Sequence, residues 1–169
     1  FLQGHGVPAS QAARIYKTYG DSAVTVLREN PYRLAEDIFG ISFKSADAIA
    51  NRLGMDKNAP QRIAAGVSHV LREARQDGHC YLVMQTALES TTQLLGVTDA
   101  ELTSALAAME SQKQLVRERD ALFSPRLHAA ELGCAEWLKR IVVIPAEHVP
   151  IDVERAIEWV EKIKSITLS

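Results

Sequence analysis

The sequence predicts a mainly α fold: a tandem helix-hairpin-helix bundle followed by a winged-helix-like unit with a small β-ribbon. Three observations predict it. First, Phe39-Gly40-Ile41-Ser42-Phe43-Lys44 is a short turn between two apolar-striped stretches. Leu34, Ala35 and Ile38 share a helical face before it, and Ala46, Ile49, Ala50 and Leu53 recur at i, i+3, i+4, i+7 after it. Second, a near copy stands thirty-six residues earlier, Leu2-Gln3-Gly4-His5-Gly6-Val7, followed by Ala12, Ile15, Tyr16 and Tyr19. Third, beyond Cys80 the pattern becomes strand, helix, helix and a two-stranded ribbon, the element order of a winged helix.

Residues 1–57 form the tandem hairpin domain, built of short helices. Pro8 sits early in the first full helix, where its missing N–H costs nothing, and Gly20 follows the end of that helix. Asp21 is the expected cap of a helix bearing Val24 and Leu27, and Asn30-Pro31 ends it and starts the next. Small residues (Ala13, Ala23, Ala35, Ala46, Ala50) allow close helix approach. Tyr16, Tyr19, Tyr32, Phe39 and Phe43 are expected to supply the bulk of the core, base stacking being the alternative role for one of them.

Residues 58–78 read as a bridging helix, the longest in the chain, with Ile63, Val67, Val70, Leu71 and Ala74 as its stripe. Arg62, Arg72 and Arg75 lie off that stripe, so they are expected in solvent, where they are also candidates for phosphate contact.

Residues 79–125 form the winged-helix-like unit. Tyr81-Leu82-Val83 is a short strand, Gly96 ends the helix that follows, and Thr98-Asp99-Ala100-Glu101 is a capping box. Leu115-Val116-Arg117 and Ala121-Leu122-Phe123 then flank a charged turn as a β-hairpin. The second helix carries Asp99, Glu101 and Glu110, and phosphate would be repelled by that face. A structural or protein-contacting role follows, although Arg117 and Arg119 keep DNA contact open.

Residues 126–169 are C-terminal helices. Leu127, Ala130, Cys134, Leu138 and Ile141 share one side of the first, an extended stretch is expected at Val142-Val143-Ile144-Pro145, and Asp152 is placed to cap the last.

The chain of 169 residues is 47% hydrophobic, enough for a real core, and its net charge of −2 argues against a strongly cationic nucleic-acid binder. Any such binding must be local. Cys80 and Cys134 are far apart without C-x-x-C spacing, which indicates neither a zinc site nor a disulfide framework and fits reduced thiols in a cytoplasmic protein. His79 beside Cys80 lacks the further ligands a metal needs. No apolar run reaches the length of a membrane span, and the chain, starting at Phe1, reads as a piece of something larger.

The hairpins carry the chemistry. The first N–H groups of a helix have no partner within it and sit at the positive end of its dipole. A glycine-bearing turn lets neighbouring amides point the same way, so phosphate is the natural ligand, held without regard to base sequence. Gly4, His5, Gly6 and Val7 of the first hairpin, and Gly40, Ile41, Ser42, Phe43 and Lys44 of the second, are therefore the candidate DNA-binding residues, Lys44 adding a charge-assisted contact. The plainer reading of either hairpin is an ordinary helix–helix corner; the repeat favours binding, since one nucleic acid can be gripped at two successive phosphate groups. There is no phosphate-loop motif, no G-x-G-x-x-G after a strand and no H-E-x-x-H; Glu36, Asp37 and Asp47 fall on polar faces without metal-binding company, and no catalytic residue or metal site is assigned.

The run Glu29-Asn30-Pro31-Tyr32-Arg33-Leu34, then Asp37-Ile38-Phe39-Gly40-Ile41-Ser42-Phe43-Lys44-Ser45-Ala46-Asp47, resembles the N-terminal region of RecD/TraA-type DNA helicases, the exodeoxyribonuclease V alpha family. The likeness extends through Tyr16-Lys17-Thr18-Tyr19-Gly20, Gly78-His79-Cys80-Tyr81-Leu82 and Leu115-Val116. Members show G-I-G in the second hairpin, and Ser42 here replaces the last glycine, where it can cap the helix or donate its hydroxyl. The resemblance implies a parent that unwinds DNA 5′ to 3′ with ATP and magnesium in recombination or repair, its motor starting after Ser169. The region in hand then uses no cofactor and is an accessory one, with DNA and the motor of the same chain as partners. The alternatives are a docking platform for partner subunits or other repair proteins, and a hairpin module from another repair nuclease.

Overall fold

The computed structural model describes residue 4, residues 7–143 and residues 151–167 of the chain. It divides into two compact units, Phe1–Leu132 and Gly133–Ser169.

The first unit opens with α1 (Ala9–Tyr19), a 3-10 turn (Gly20–Ser22), α2 (Ala23–Glu29), α3 (Arg33–Asp37), α4 (Phe43–Arg52) and α5 (Pro60–Gln76). Each of the first four is too short to persist alone and is held by packing. Ile15, Leu27, Leu34, Ile41, Phe43, Ala46 and Ile49 are buried together with Ile63 and Val67 of α5. Asn30 ends α2 and its Oδ1 accepts the Tyr32 N–H at 3.1 Å, so one side chain shapes the turn into α3. Asp21 does not cap α2: the Gly20–Ser22 segment winds as a 3-10 turn instead, and no side chain caps α2.

The chain continues through β1 (Leu82–Val83), α6 (Met84–Leu95), α7 (Asp99–Ser111), β2 (Val116–Glu118), β3 (Ala121–Phe123) and α8 (Pro125–Val143), and the same core takes in residues of β1, α6, α7 and β3. The strands form an antiparallel sheet in the order β1-β3-β2, with Leu122 of the central strand opposite both Leu82 and Arg117. The expected capping box forms: Thr98 Oγ1 accepts from the Glu101 N–H while the Glu101 carboxylate accepts from the Thr98 N–H at 2.9 Å. Gly96 ends α6 at φ +67, the left-handed conformation in which many helices stop and which glycine adopts without strain. α5 packs against α4 on one side and α6 and α7 on the other, so the bridging helix joins the hairpin helices to the strand-bearing part.

Further expectations are corrected. Phe39 and Tyr16 are not core: Phe39 is 100% exposed and Tyr16 60% exposed, because Ile38, Ile41 and Ile15 take the inward positions beside them. Arg62 is not solvated but 8% exposed, since a carboxylate and two carbonyls meet its guanidinium inside the fold. α8, with 19 residues, is longer than α5 with 17, and Val142 and Val143 continue it instead of being extended. Helix growth adds a hydrogen bond per residue at little cost, and the first proline to oppose it is Pro145. Ile144 and Pro145 lie outside the described residues.

In the second unit, α9 (Val153–Lys164) is capped as expected, the Asp152 carboxylate accepting from the Arg155 N–H at 3.1 Å. Trp159 and Ile163 of α9 are exposed. Neither cysteine forms a disulfide. Among the described residues no helix is long and apolar enough to cross a membrane.

Candidate nucleic-acid interface

The second hairpin is positioned from beneath by Phe43, the first residue of α4. Its ring stacks between Tyr32 (centroids 5.8 Å apart) and His69 of α5 (5.2 Å), each at an 18° interplanar angle. The Tyr32 hydroxyl donates to Asp47 Oδ1 at 2.7 Å, and Arg62 holds the same carboxylate while its Nη1 donates to the Lys57 and Leu95 carbonyls at 2.9 and 3.0 Å. Burial, then the bond to the Asp47 carboxylate, pushes the Tyr32 phenol well above its ordinary range. α4 therefore cannot shift without breaking this network.

The turn itself is closed by the Ile41 N–H donating to the Ile38 carbonyl at 3.2 Å. Gly40 sits at φ +84, a left-handed conformation that a side chain resists. Arg14 of α1 crosses it: its Nη1 is 3.4 Å from the Phe39 carbonyl oxygen and would be 2.8 Å from a Cβ at position 40. Sequence reasoning did not single out Arg14, which looks like any cation on a polar helix face until the tertiary fold brings α1 to the turn.

At the start of α4, Ser42 caps the helix. Its Oγ accepts from the Ser45 N–H at 3.2 Å and its carbonyl from the Ala46 N–H at 3.0 Å. Ser42 has φ −82 and ψ 163, extended backbone that any residue adopts, so the serine standing in place of the last glycine of G-I-G costs no strain. The N–H groups of Ser42, Phe43 and Lys44 meet no acceptor among the described residues. They lie at the positive end of a ten-residue helix. Ser42 and Lys44 are exposed, whereas the side chains of Ile41 and Phe43 are buried. Of the residues in this turn Phe39, Ser42 and Lys44 thus reach outward with a side chain, Ser42 and Lys44 being the polar ones, and Ile41 and Phe43 can offer main chain alone.

The first hairpin is less fully defined. Gly4 is exposed, with nothing within 4 Å of where a Cβ would stand, and Val7 is buried. His5 and Gly6 lie outside the described residues. α1 follows Pro8 without a side-chain cap, and the Gln11 and Ala12 N–H groups both donate to the Pro8 carbonyl.

His69, beneath Phe43, connects the hairpin to α5. Its Nε2 is 3.3 Å from Glu73 Oε1 but out of alignment for a hydrogen bond. Burial lowers its pKa, Arg72 and Lys44 lower it further, and Glu73 opposes them. Among the described residues no group of three or more His, Cys, Asp and Glu side chains could hold a metal ion.

Residues 1–81 match the family described as the ATP-dependent RecD2 DNA helicase HHH domain. The chain is similar to an ATP-dependent RecD2 DNA helicase of Deinococcus radiodurans, with 28% identity over 133 residues, covering 78% of this chain and 18% of that relative. The chain thus matches under a fifth of the length of that relative.

Proposed function

We propose that this chain carries the N-terminal helix-hairpin-helix region of a RecD-like helicase, in keeping with the family match over residues 1–81, and that it is a DNA-binding accessory region that grips the sugar-phosphate backbone without reading sequence. The observation that carries the reading is the trio of unpartnered N–H groups on Ser42, Phe43 and Lys44, at a helix start with one exposed lysine. The parent is an ATP-dependent 5′-to-3′ helicase of recombination or repair, acting in the cytoplasm. ATP and magnesium belong to its motor, and the residues in hand hold nucleic acid for that motor without catalysing a reaction. The sheet-bearing part, winged-helix-like in element order, is structural or protein-contacting, in keeping with the acidic Asp99, Glu101 and Glu110 of α7.

Fluorescence anisotropy with labelled duplexes of unrelated sequence tests this. Equal affinity for all of them, reduced by Lys44→Glu, supports the reading, and no binding to any of them sinks it. A second reading, a docking platform for partner subunits, is favoured by the net charge of −2 and by the exposed Trp159 and Ile163 of α9. Retention of a partner subunit that Trp159→Glu abolishes, without DNA affinity, would select it.

A further inference from the structure

On the first unit a groove of about 420 Å³ opens where α3, α5 and the start of α8 come together. Arg72 and Arg75 of α5 and Arg126 of α8 line it, with Ser68, Gln114 and Ser124 as neutral hydrogen-bonding groups. Glu36 is the one carboxylate among its lining residues. Among the described residues no carboxylate is in ion-pair contact with any of the three guanidiniums.

Three unpaired arginines in one groove repel each other, and a chain of net charge −2 has carboxylates enough to avoid that arrangement. An anion in the groove relieves the repulsion. One arginine is already held: Arg72 Nη1 donates to the Ala35 carbonyl at 3.1 Å, which fixes its fork and leaves its other N–H groups available. Arg75 and Arg126 are exposed. Guanidinium, hydroxyl and amide groups together are the set that contacts phosphate oxygens in nucleic-acid complexes.

His69 lies between the hairpin and the groove. Lys44 and Arg72 both act on His69, whose ring stacks on Phe43 at the start of α4. Lys44 and Arg72 thus lie to either side of His69, with Glu73 the carboxylate beside it. We infer that this groove is a second phosphate-binding site, taking the backbone of the same nucleic acid that the α4 hairpin holds and lengthening its footprint toward the β-ribbon. The inference rests on reading the chain as a DNA binder.

The test is anisotropy on a short duplex of about 8 base pairs and a long one of about 20, at several salt concentrations. The proteins are the whole chain, its Arg75→Glu/Arg126→Glu variant and its Arg75→Lys/Arg126→Lys variant, with circular dichroism to verify folding. The expected result is that the Glu variant binds the short duplex like the original but loses the gain in affinity on the long one. Its slope of log K against log salt there becomes shallower by about 2, near 0.9 per lost phosphate contact. The Lys variant keeps most of both. If the Glu variant binds the long duplex with the original affinity and slope, the groove is not part of the footprint, while the hairpin reading stands. If the original chain binds neither duplex, the hairpin reading fails and the groove inference with it. Inorganic phosphate separates the sources of the anion: a phosphate site lost in the Glu variant, with DNA binding unchanged, would make the groove a small-anion site and overturn the nucleic-acid assignment.

Discussion

Arg62 grips Asp47 through two contacts, Nε to Oδ1 at 2.8 Å and Nη2 to Oδ2 at 3.2 Å. Asp47 lies on α4 and Arg62 on α5, and the third arm of the guanidinium reaches the Leu95 carbonyl at the end of α6. One ion pair thus locks the hairpin helix to the bridging helix and to the part beyond it. Removing either partner leaves a poorly solvated charge, which costs about 3 kcal/mol. Arg62→Ala and Asp47→Ala are each expected to lower urea-unfolding stability by that order, and the double variant by much less than the sum.

Gly40 should tolerate no side chain without loss. Its φ of +84 puts a non-glycine residue in a strained conformation, costing about 1 kcal/mol. The Arg14 guanidinium can swing away from a new Cβ, so Gly40→Ala is expected to show the conformational cost and Gly40→Val a larger one, measured by chemical denaturation.

Stability should depend on pH through His69. Its folded-state pKa is lowered by burial first, so the unfolded chain binds a proton more readily than the folded one. The stabilising contribution is complete above the unfolded value, about 6.5, and is lost as pH falls below it. Arg72 and Lys44 add to the effect and Glu73 opposes it. Thermal melts between about pH 5 and pH 7.5 should show falling Tm toward acid, with a smaller fall in His69→Gln.

Phe39 and Phe43 should behave as opposites although four residues apart. Phe39→Ser removes a fully exposed ring and is expected to change stability by less than about 0.5 kcal/mol. Phe43→Ala empties a stack between Tyr32 and His69 and is expected to cost about 3 kcal/mol. Denaturation midpoints of the two variants check this directly.

Local chemistry was legible in the sequence. The Thr98–Glu101 capping box, the Asp152 cap, the Gly96 stop and the second hairpin around Gly40 each rest on residues a few positions apart, whose backbone preferences are written in their side chains. Periodicity also placed Ile49 and Val67 in the core. It failed where distance in the chain mattered. An apolar residue at a hairpin crest has no periodicity to say which way it faces, so Phe39 was assigned inward. Arg62 looked like a solvated cation because nothing near it in sequence shows that Asp47, fifteen residues back, and Leu95, thirty-three ahead, converge on it. Arg72 and Arg75 are candidates for phosphate contact from sequence alone, but their meeting with Arg126 in one groove, and the place of Arg14, were hidden for the same reason: their neighbours come from other elements.

The central claim is that main-chain amides at the start of α4, with Lys44 beside them, hold a nucleic-acid backbone. The most direct measurement is the affinity of the chain for one duplex across a salt series, repeated for Lys44→Glu. The account predicts that log K falls linearly with log salt, and that the variant's slope is shallower by about 1, the share of one phosphate contact. Absence of DNA affinity at low salt, or affinity with a slope that Lys44→Glu leaves unchanged, would contradict it.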